Sequence, residues 1–591
     1  HTRLRCDWSS DVCRLLIWHI LVEAYELFKV IYLERGYRQR DVAQLILEKN
    51  LYGLDIDERA AQLTGFALMM KGRADDRQLF ERGVKLNVMA LVDSAGFNVE
   101  ELVHGVKLAD YGLKPGDLTE LKRLFEHATT FGSLIQVPKG LASSLPALKQ
   151  LSEATSQDLF VSEALKRFGP LLQQAELLAA QYDAVVANPP YMGNKFHVPV
   201  LKKFLKDHYD GYENDVFSAF IDRDLALSKP HGRLGFMSPF VWMFISSHEH
   251  LRTRLIDKET ITSLIQLEYS GFEGATVPIC TFTLQKGHIS AEKGCFIRLS
   301  EFRGSDAQGP KTLEAILNRY CGWFFEASQD AFKQIPGSPV AYWVSERTRT
   351  VFSEGIPLSD KADCVCGMTT GDNNQFVRLW HEVDDARAGY GMVAVDAAAT
   401  SGRKWFPYNK GGEFRKWFGN NTHVVNWEAD GRDILDSGRA YPRARKAYFR
   451  ESVTWSFISS SYFGVRYSSP GAIFDMAGCS AFPVEPGFVM TLCAFLCSKV
   501  VFQQLGVMNP TLNFQVGNVG SLPWLGANAD AIAGPTSKLA HEVVIAARID
   551  WDAYERSWDF QSLPLLTASS DPTSTLESSY TAWTRENRDT I

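Results

Sequence analysis

Residues 182–193 read YDAVVANPPYMG, and this stretch decides the fold class. Residues 183–187 are a short apolar run rich in β-branched valine, which predicts a buried strand. Asn188, Pro189, Pro190 and Tyr191 then end it, because a proline has no N–H for a ladder and confines the residue before it to extended geometry. The product is a stiff loop at the carboxyl end of a strand, carrying an amide, backbone carbonyls and an aromatic ring. Open α/β sheets bind their ligands at such loops.

These residue types suit one kind of chemistry. An exocyclic amine such as N6 of adenine is a poor nucleophile because its lone pair is delocalised into the ring. The Asn188 side-chain oxygen and the Pro189 carbonyl can both accept hydrogen bonds from that amine, favouring a lone pair that points at an electrophile. Tyr191 offers a face on which a base rotated out of a duplex can stack. An ordinary strand-terminating turn with a packed tyrosine would also read Asn-Pro-Pro-Tyr.

Downstream, residues 216–227 predict a helix with Phe217, Phe220, Ile221 and Leu225 apolar, followed by a Lys-Pro-His-Gly turn and a strand at 233–237. This is a βα unit of a doubly wound sheet. Asp215 opens the helix and is either a pocket-facing carboxylate or a simple cap. A helix at 248–257 leads to strands at 261–267 and 278–285, and between them Phe272 is a candidate second base-stacking aromatic or a core residue.

Upstream, residues 51–56 predict a strand and Glu58 begins a helix. A carboxylate at the end of a strand that opens into a helix is the usual holder of ribose hydroxyls. Asp55, with Ile56 beside it, is the candidate, with Asp57 the helix cap and Glu58 in the first turn; the alternative is that all three acids merely cap and solvate the helix. Residues 20–36 predict an amphipathic helix with Leu21, Ala24, Leu27, Phe28 and Ile31 inward, and 41–49 a second one. Residues 87–180 read as a helical insertion between strands. Within it, Gly132 and Ser133 lie either beside a cofactor purine or in a plain turn.

Past about residue 295 the texture changes to short β-like runs, which sets an expected boundary at 292/293. Lys404, Lys410, Arg415 and Lys416 interleave with Trp405, Phe406, Tyr408, Phe414, Trp417 and Phe418, and a second cluster contains Arg443, Arg445, Lys446 and Arg450. Such mixtures suit phosphate contacts with base or sugar stacking, or equally a solvated face over core aromatics. Residues 546–591 predict a helix and a Ser/Thr/Pro-rich tail that is disordered or docks.

The chain has 591 residues, 45% hydrophobic and 22% charged, enough for several cores. A net charge of -7 leaves nucleic-acid binding to local basic patches. Ten scattered cysteines make no four-ligand zinc pattern, so no metal is expected and a reduced, cytoplasmic setting is. No apolar run reaches membrane-spanning length, so no membrane partner is expected. Residues 1–17, containing DWSSDVC, read like a translated sequencing adapter and are expected to be non-native.

Residues 188–191 match the NPPY motif of methyltransferases acting on adenine N6, and YDAVVANPPYMGNK resembles the BREX phage-defence methyltransferases of the PglX family. NLYGLDID at 50–57, FGSLI at 131–135, DVFSAFIDRDLALSKPHGRLGFMSPF from Asp215, and TTGDNNQFVRLWHEV at 369–383 extend that resemblance over about 20–560. It implies a Rossmann-like class I methyltransferase domain at 18–292 and a mixed α+β target-recognition domain at 293–545. It further implies S-adenosylmethionine as donor, double-stranded DNA as substrate and other phage-defence proteins as partners. By position, Asp55 would hold the ribose, Ser133 the cofactor adenine, and Asn188–Tyr191 the base. The family's glycine-rich DPACGSGHILV string should end at 19–22, but RLLIW stands before His19, so weak donor binding is expected. A type I or type II restriction-modification methyltransferase, and a silent DNA-binding remnant, are the alternatives. Protein glutamine methyltransferases share the motif but lack a second half of this size.

Overall fold

The computed structural model describes residues 16–154, 158–269, 271, 277–290, 292–459, 462–510, 513–568, 573 and 575–590. The segment expected to be non-native lies, save its last two residues, outside these, as does Phe272. The chain divides into two compact units, meeting at 332/333.

In the first unit, helix α1 (Leu16–Glu34) precedes strand β1 (Tyr52–Asp55), helix α2 (Glu58–Asp75) and strand β2 (Asn87–Ala90). Asp57 caps α2 by accepting from the Arg59 and Ala60 amides, which satisfies two donors that the first helical turn leaves over. β1 and β2 pair in parallel, with Asp55 opposite Ala90. Val22 and Tyr25 of α1 are buried against Leu68 of α2. Leu27 and Ile31, expected inward, are exposed. The apolar residues of this helix exceed one face, so periodicity alone selects the wrong stripe.

Helices at Val99–Gly105, Pro115–Leu124, Lys139–Ser152 and α3 (Leu159–Ala179) form the insertion. They have a core of their own, in which Phe97 stacks on Phe168 with ring centroids 5.8 Å apart. The insertion is shorter than the expected 87–180, because residues 87–90 form β2.

Strand β3 (Tyr182–Ala187), helix α4 (Val216–Leu227) and strand β4 (Ser228–Pro239) follow, then helix α5 (Glu249–Lys258) and strands β5 (Thr260–Gln266), β6 (Ile279–Gln285), β7 (Lys293–Arg298) and β8 (Phe324–Ser328). The sheet is six-stranded, in the order β3-β4-β6-β5-β7-β8. β3–β4 and β5–β7 are parallel pairs and the others antiparallel. The expected parallel βα units are therefore present as β1–α2–β2 and β3–α4–β4, within a mixed sheet. Tyr182 pairs with Ser228 and Ala184 with Arg233. The Lys-Pro-His-Gly turn is thus a bulge inside β4, with His231 at φ 63°.

Two expectations change here. β3 was expected buried, yet among the described residues it pairs with β4 alone, and Val186 is 57% exposed. β7 and β8 belong to this sheet, so the unit boundary falls some forty residues after 292.

The second unit holds two four-stranded sheets. One orders Ala362–Val365, Ser480–Pro483, Ser452–Trp455 and Val465–Ser468; the other orders Val377–Leu379, His423–Asn426, Trp405–Asn409 and Ile473–Phe474. Helices Val489–Cys497, Lys499–Met508 and Ala527–Asp552 contribute Leu492, Leu496, Leu505 and Val544 to the core around buried Trp455. The helix Ala527–Asp552 runs through the expected 545/546 boundary, and the tail carries another helix at Leu576–Thr590. No single described helix is long and apolar enough to cross a membrane.

Candidate active site

The loop after β3 contains two consecutive prolines, so it cannot be held by ladder hydrogen bonds from those residues. It is held from downstream instead. Asp215, the N-cap of α4, accepts from the Phe217 amide at 3.4 Å and also from the Met192 amide at 3.0 Å. Val216 N–H donates to Met192 O at 3.1 Å, and Asn194 N–H to Asn214 O at 3.0 Å. The residue following Asn-Pro-Pro-Tyr is thereby fastened to the start of α4. Burial of the Asp215 carboxyl outweighs these amide hydrogen bonds and pushes its pKa up to about 6.

Within the loop, the Tyr191 hydroxyl donates to Asn188 Oδ1 at 3.0 Å. This orients the amide, and because a carbonyl oxygen has two lone pairs, one remains for an incoming amine. His197 lies with Nε2 2.8 Å from Met192 O, and its Nδ1 is buried with no hydrogen-bond partner among the described residues. Sequence reasoning did not single out His197, since a lone histidine beyond a loop carries no pattern.

The candidate cofactor residues gather on a second group of turns. Asp55 ends β1 and accepts from the Asp57 amide at 2.9 Å, so it takes part in the cap as well as facing the turn. Gly132 has φ +59°, and a Cβ there would stand 3.3 Å from Ile56 Cγ2, so the glycine allows the two turns to touch. A cavity of about 660 Å³ lies at the ends of β1 and β2, lined by Ile56, Glu58, Val92, Asp93 and Thr129 among others. Asp93 accepts from the Thr129 amide at 2.9 Å and from its hydroxyl. Asp93 follows β2 as Asp55 ends β1; reading 87–180 as wholly helical hid that parallel.

α4 joins the two groups. Eight residues after Asp215, the buried Arg223 donates through Nε to Ser133 O at 3.0 Å and through Nη2 to Leu178 O at 2.8 Å. Tyr209 donates to Leu134 O at 2.5 Å. The Gly132–Leu134 turn is therefore pinned by the same helix whose start holds the Asn188 loop.

In the second unit the two basic clusters differ. Lys404 pairs with Glu428, Lys410 with Asp475 and Arg415 with Asp550, while Lys416 donates to Cys497 O. Phe406, Tyr408 and Phe418 are buried core, beneath cations that already have partners. Arg445 pairs with Asp430. Arg443, Lys446 and Arg450 are exposed and pair with no carboxylate among the described residues. Arg443 lies over the Tyr441 ring and Arg450 over Phe482.

Residues 49–272 match the Eco57I restriction-modification methylase family model. The adenine-specific methyltransferase BrxX of Escherichia coli O9:H4 (strain HS) is 36% identical over 575 residues, covering 93% of this chain and 46% of that protein. The adenine-specific methyltransferase PglX of Lacticaseibacillus casei (strain Zhang) is 33% identical over 589 residues, covering 97% and 48%. A nuclease-deletion mutant of the Type ISP restriction-modification enzyme LlaGI, solved with a DNA substrate mimic, shares the fold at a TM-score of 0.50 and 10% identity, covering 88% of this chain and 43% of that one. The chain spans about half the length of the curated relatives it matches. Over nearly all of its own length, the chain is similar to about half of the adenine-specific methyltransferases BrxX and PglX, and its residues 49–272 match the Eco57I methylase family.

Proposed function

We propose that the chain carries the base-holding and donor-holding parts of a site-specific DNA adenine-N6 methyltransferase of a BREX-type phage-defence system. The observation that carries this reading is the Asn188 loop: its amide oxygen is aligned by Tyr191 and its exit is fastened by Asp215. S-adenosylmethionine fits the cavity of about 660 Å³ at the ends of β1 and β2 in size and in its carboxylate lining. Of the candidate cofactor residues Ile56 lines that cavity, while Asp55, which would hold the ribose, and Gly132 and Ser133, which would flank the purine, are outside its lining on the turns beside Ile56. When bound, the donor supplies an electrophilic methyl group.

The chain's own residues act on the acceptor. Asn188 Oδ1 and the Pro189 carbonyl accept from the two N6 hydrogens, which draws the lone pair out of conjugation. Tyr191 would stack on the extruded base, at a stacking worth of about 1–3 kcal/mol. Asp215 holds the loop; it is a positioning residue, and its link to the donor is through the same helix. Arg443, Lys446 and Arg450 would neutralise DNA phosphates, and the second unit would select the target sequence.

The test is methylation of plasmid DNA by this chain at millimolar donor, so that weak donor affinity is overcome by mass action. N6-methyladenine in the digested DNA, absent with Asn188→Ala, is the expected result. Methylcytosine, or methyl transfer unaffected by Asn188→Ala, refutes the reading.

A further inference from the structure

The second unit contains a thiol pair that the methyltransferase reading leaves unused. Cys366 directly follows the strand Ala362–Val365, and Cys479 directly precedes its partner strand Ser480–Pro483. In that ladder Ala362 faces Pro483 and Val365 faces Ser480, so the next step of the same register sets Cys366 opposite Cys479. Directly opposed antiparallel residues have Cα atoms roughly 4.5–5.5 Å apart, inside the span a disulfide bridges. The two sulfurs are 3.4 Å apart.

The pair is also chemically asymmetric. Cys366 is part-exposed and Cys479 fully buried. Either thiol can donate in the contact between them, the Cys479 Sγ also lies 3.3 Å from Met476 O, and Arg443 stands near enough to act by charge; the thiol contact and that charge bring Cys366 down to about 7, against the opposing effect of burial. A low, accessible thiol with a second thiol in contact is the arrangement of a peroxide-sensitive site. Cys493 and Cys497 also adjoin, but both are buried on consecutive turns of the helix Val489–Cys497.

We propose that Cys366 and Cys479 form a peroxide-oxidisable dithiol that closes to a cross-strand disulfide. The Cys366 thiolate attacks hydrogen peroxide, breaking its O–O bond; the sulfur is oxidised to the sulfenic acid and hydroxide leaves, to be protonated to water. The Cys479 sulfur then attacks that sulfenic sulfur, the S–O bond breaks, the S–S bond forms, and the thiol proton leaves with the hydroxyl as a second water. The site lies where oxidation would be felt. Two residues on, Met368 N–H donates to Phe474 O, and Thr369 exchanges both backbone hydrogen bonds with Tyr441, beside Arg443. The disulfide therefore locks the start of the connection from one sheet to the exposed basic segment.

The experiment treats the reduced chain with a small excess of hydrogen peroxide, quenches with an alkylating agent and maps peptides without reduction. Expected are a loss of two hydrogens per chain, one linked peptide pair containing Cys366 and Cys479, and loss of that pair in Cys366→Ser and Cys479→Ser. In Cys479→Ser, a sulfenic-acid trap should label Cys366. Wild-type protein that stays fully reduced, or that links Cys493 to Cys497 instead, overturns the proposal. The wild-type map decides even where a serine variant fails to fold.

Discussion

Asp215 provides a test of how the Asn188 loop is held. Its carboxyl rises from 3.8 to about 6 through burial, a shift of roughly 2 units, equivalent to about 3 kcal/mol at most. The direction follows from proton binding. Between roughly pH 4 and pH 6 the folded chain holds a proton on Asp215 that the unfolded chain has released, so stability falls as pH rises through that window. Below it the cost is absent, and above it the cost is complete. Asp215→Asn keeps an oxygen acceptor for the Met192 and Phe217 amides, as well suited to the cap position, and removes the charge. The variant should match wild type near pH 4 and exceed it by about 2–3 kcal/mol near pH 7. Asp215→Ala, in contrast, loses the cap and leaves the Met192 amide unpaired, at a cost of about 2–4 kcal/mol. Hydrogen exchange of the α4 amides, followed from pH 4.5 to 7.5, reads this unit alone. A difference between Asp215→Asn and wild type that stays constant with pH refutes the reasoning, and so does one that shrinks as pH rises.

Three other outcomes are expected. Asn188→Ala should lower methyl transfer by roughly 10²–10³-fold, as loss of a positioned charge-stabilising group does, with plasmid DNA binding unchanged in a gel-shift assay. Replacing Arg443, Lys446 and Arg450 together by Ala should reduce the slope of log binding constant against log salt by up to about 2.7, whereas replacing Lys404, Lys410 and Arg415 should leave it nearly unchanged, as titrations over a salt series would reveal. Because RLLIW stands before His19 where the family resemblance implies a glycine-rich string, calorimetry should find donor binding weaker than micromolar; micromolar binding overturns that expectation.

The local chemistry around the site was legible in the sequence. Strand β3 and helix α4 fall where valine content, proline breaks and the Asp215 cap place them, and Asp57 caps α2 as read. What failed depends on partners distant in sequence. β3 reads as buried because its side chains are apolar, but its burial is set by how many strands flank it, and among the described residues β4 alone does. The unit boundary was missed because β7 and β8 look like the short strands that follow them; only pairing with β5 assigns them to the first sheet. The aromatic-basic cluster around Lys404 has the composition of a nucleic-acid surface; what the sequence does not reveal is that Glu428, Asp475 and Asp550, each at least 24 residues (428 − 404) beyond its partner, pair with three of its cations. Asp93 was hidden by the length of the helical run that follows it.

Helix α4 spans about 12 Å between Asp215 and Arg223 at the usual rise per residue, and each end grips a different turn. A stiff rod fixed at both ends passes displacement from one to the other. Changes made at the Asn188 loop and at the Gly132 turn will therefore not act independently: the combined loss in a double substitution, Asp215→Ala with Arg223→Met, should differ from the sum of the separate losses, because freeing either end already releases the other.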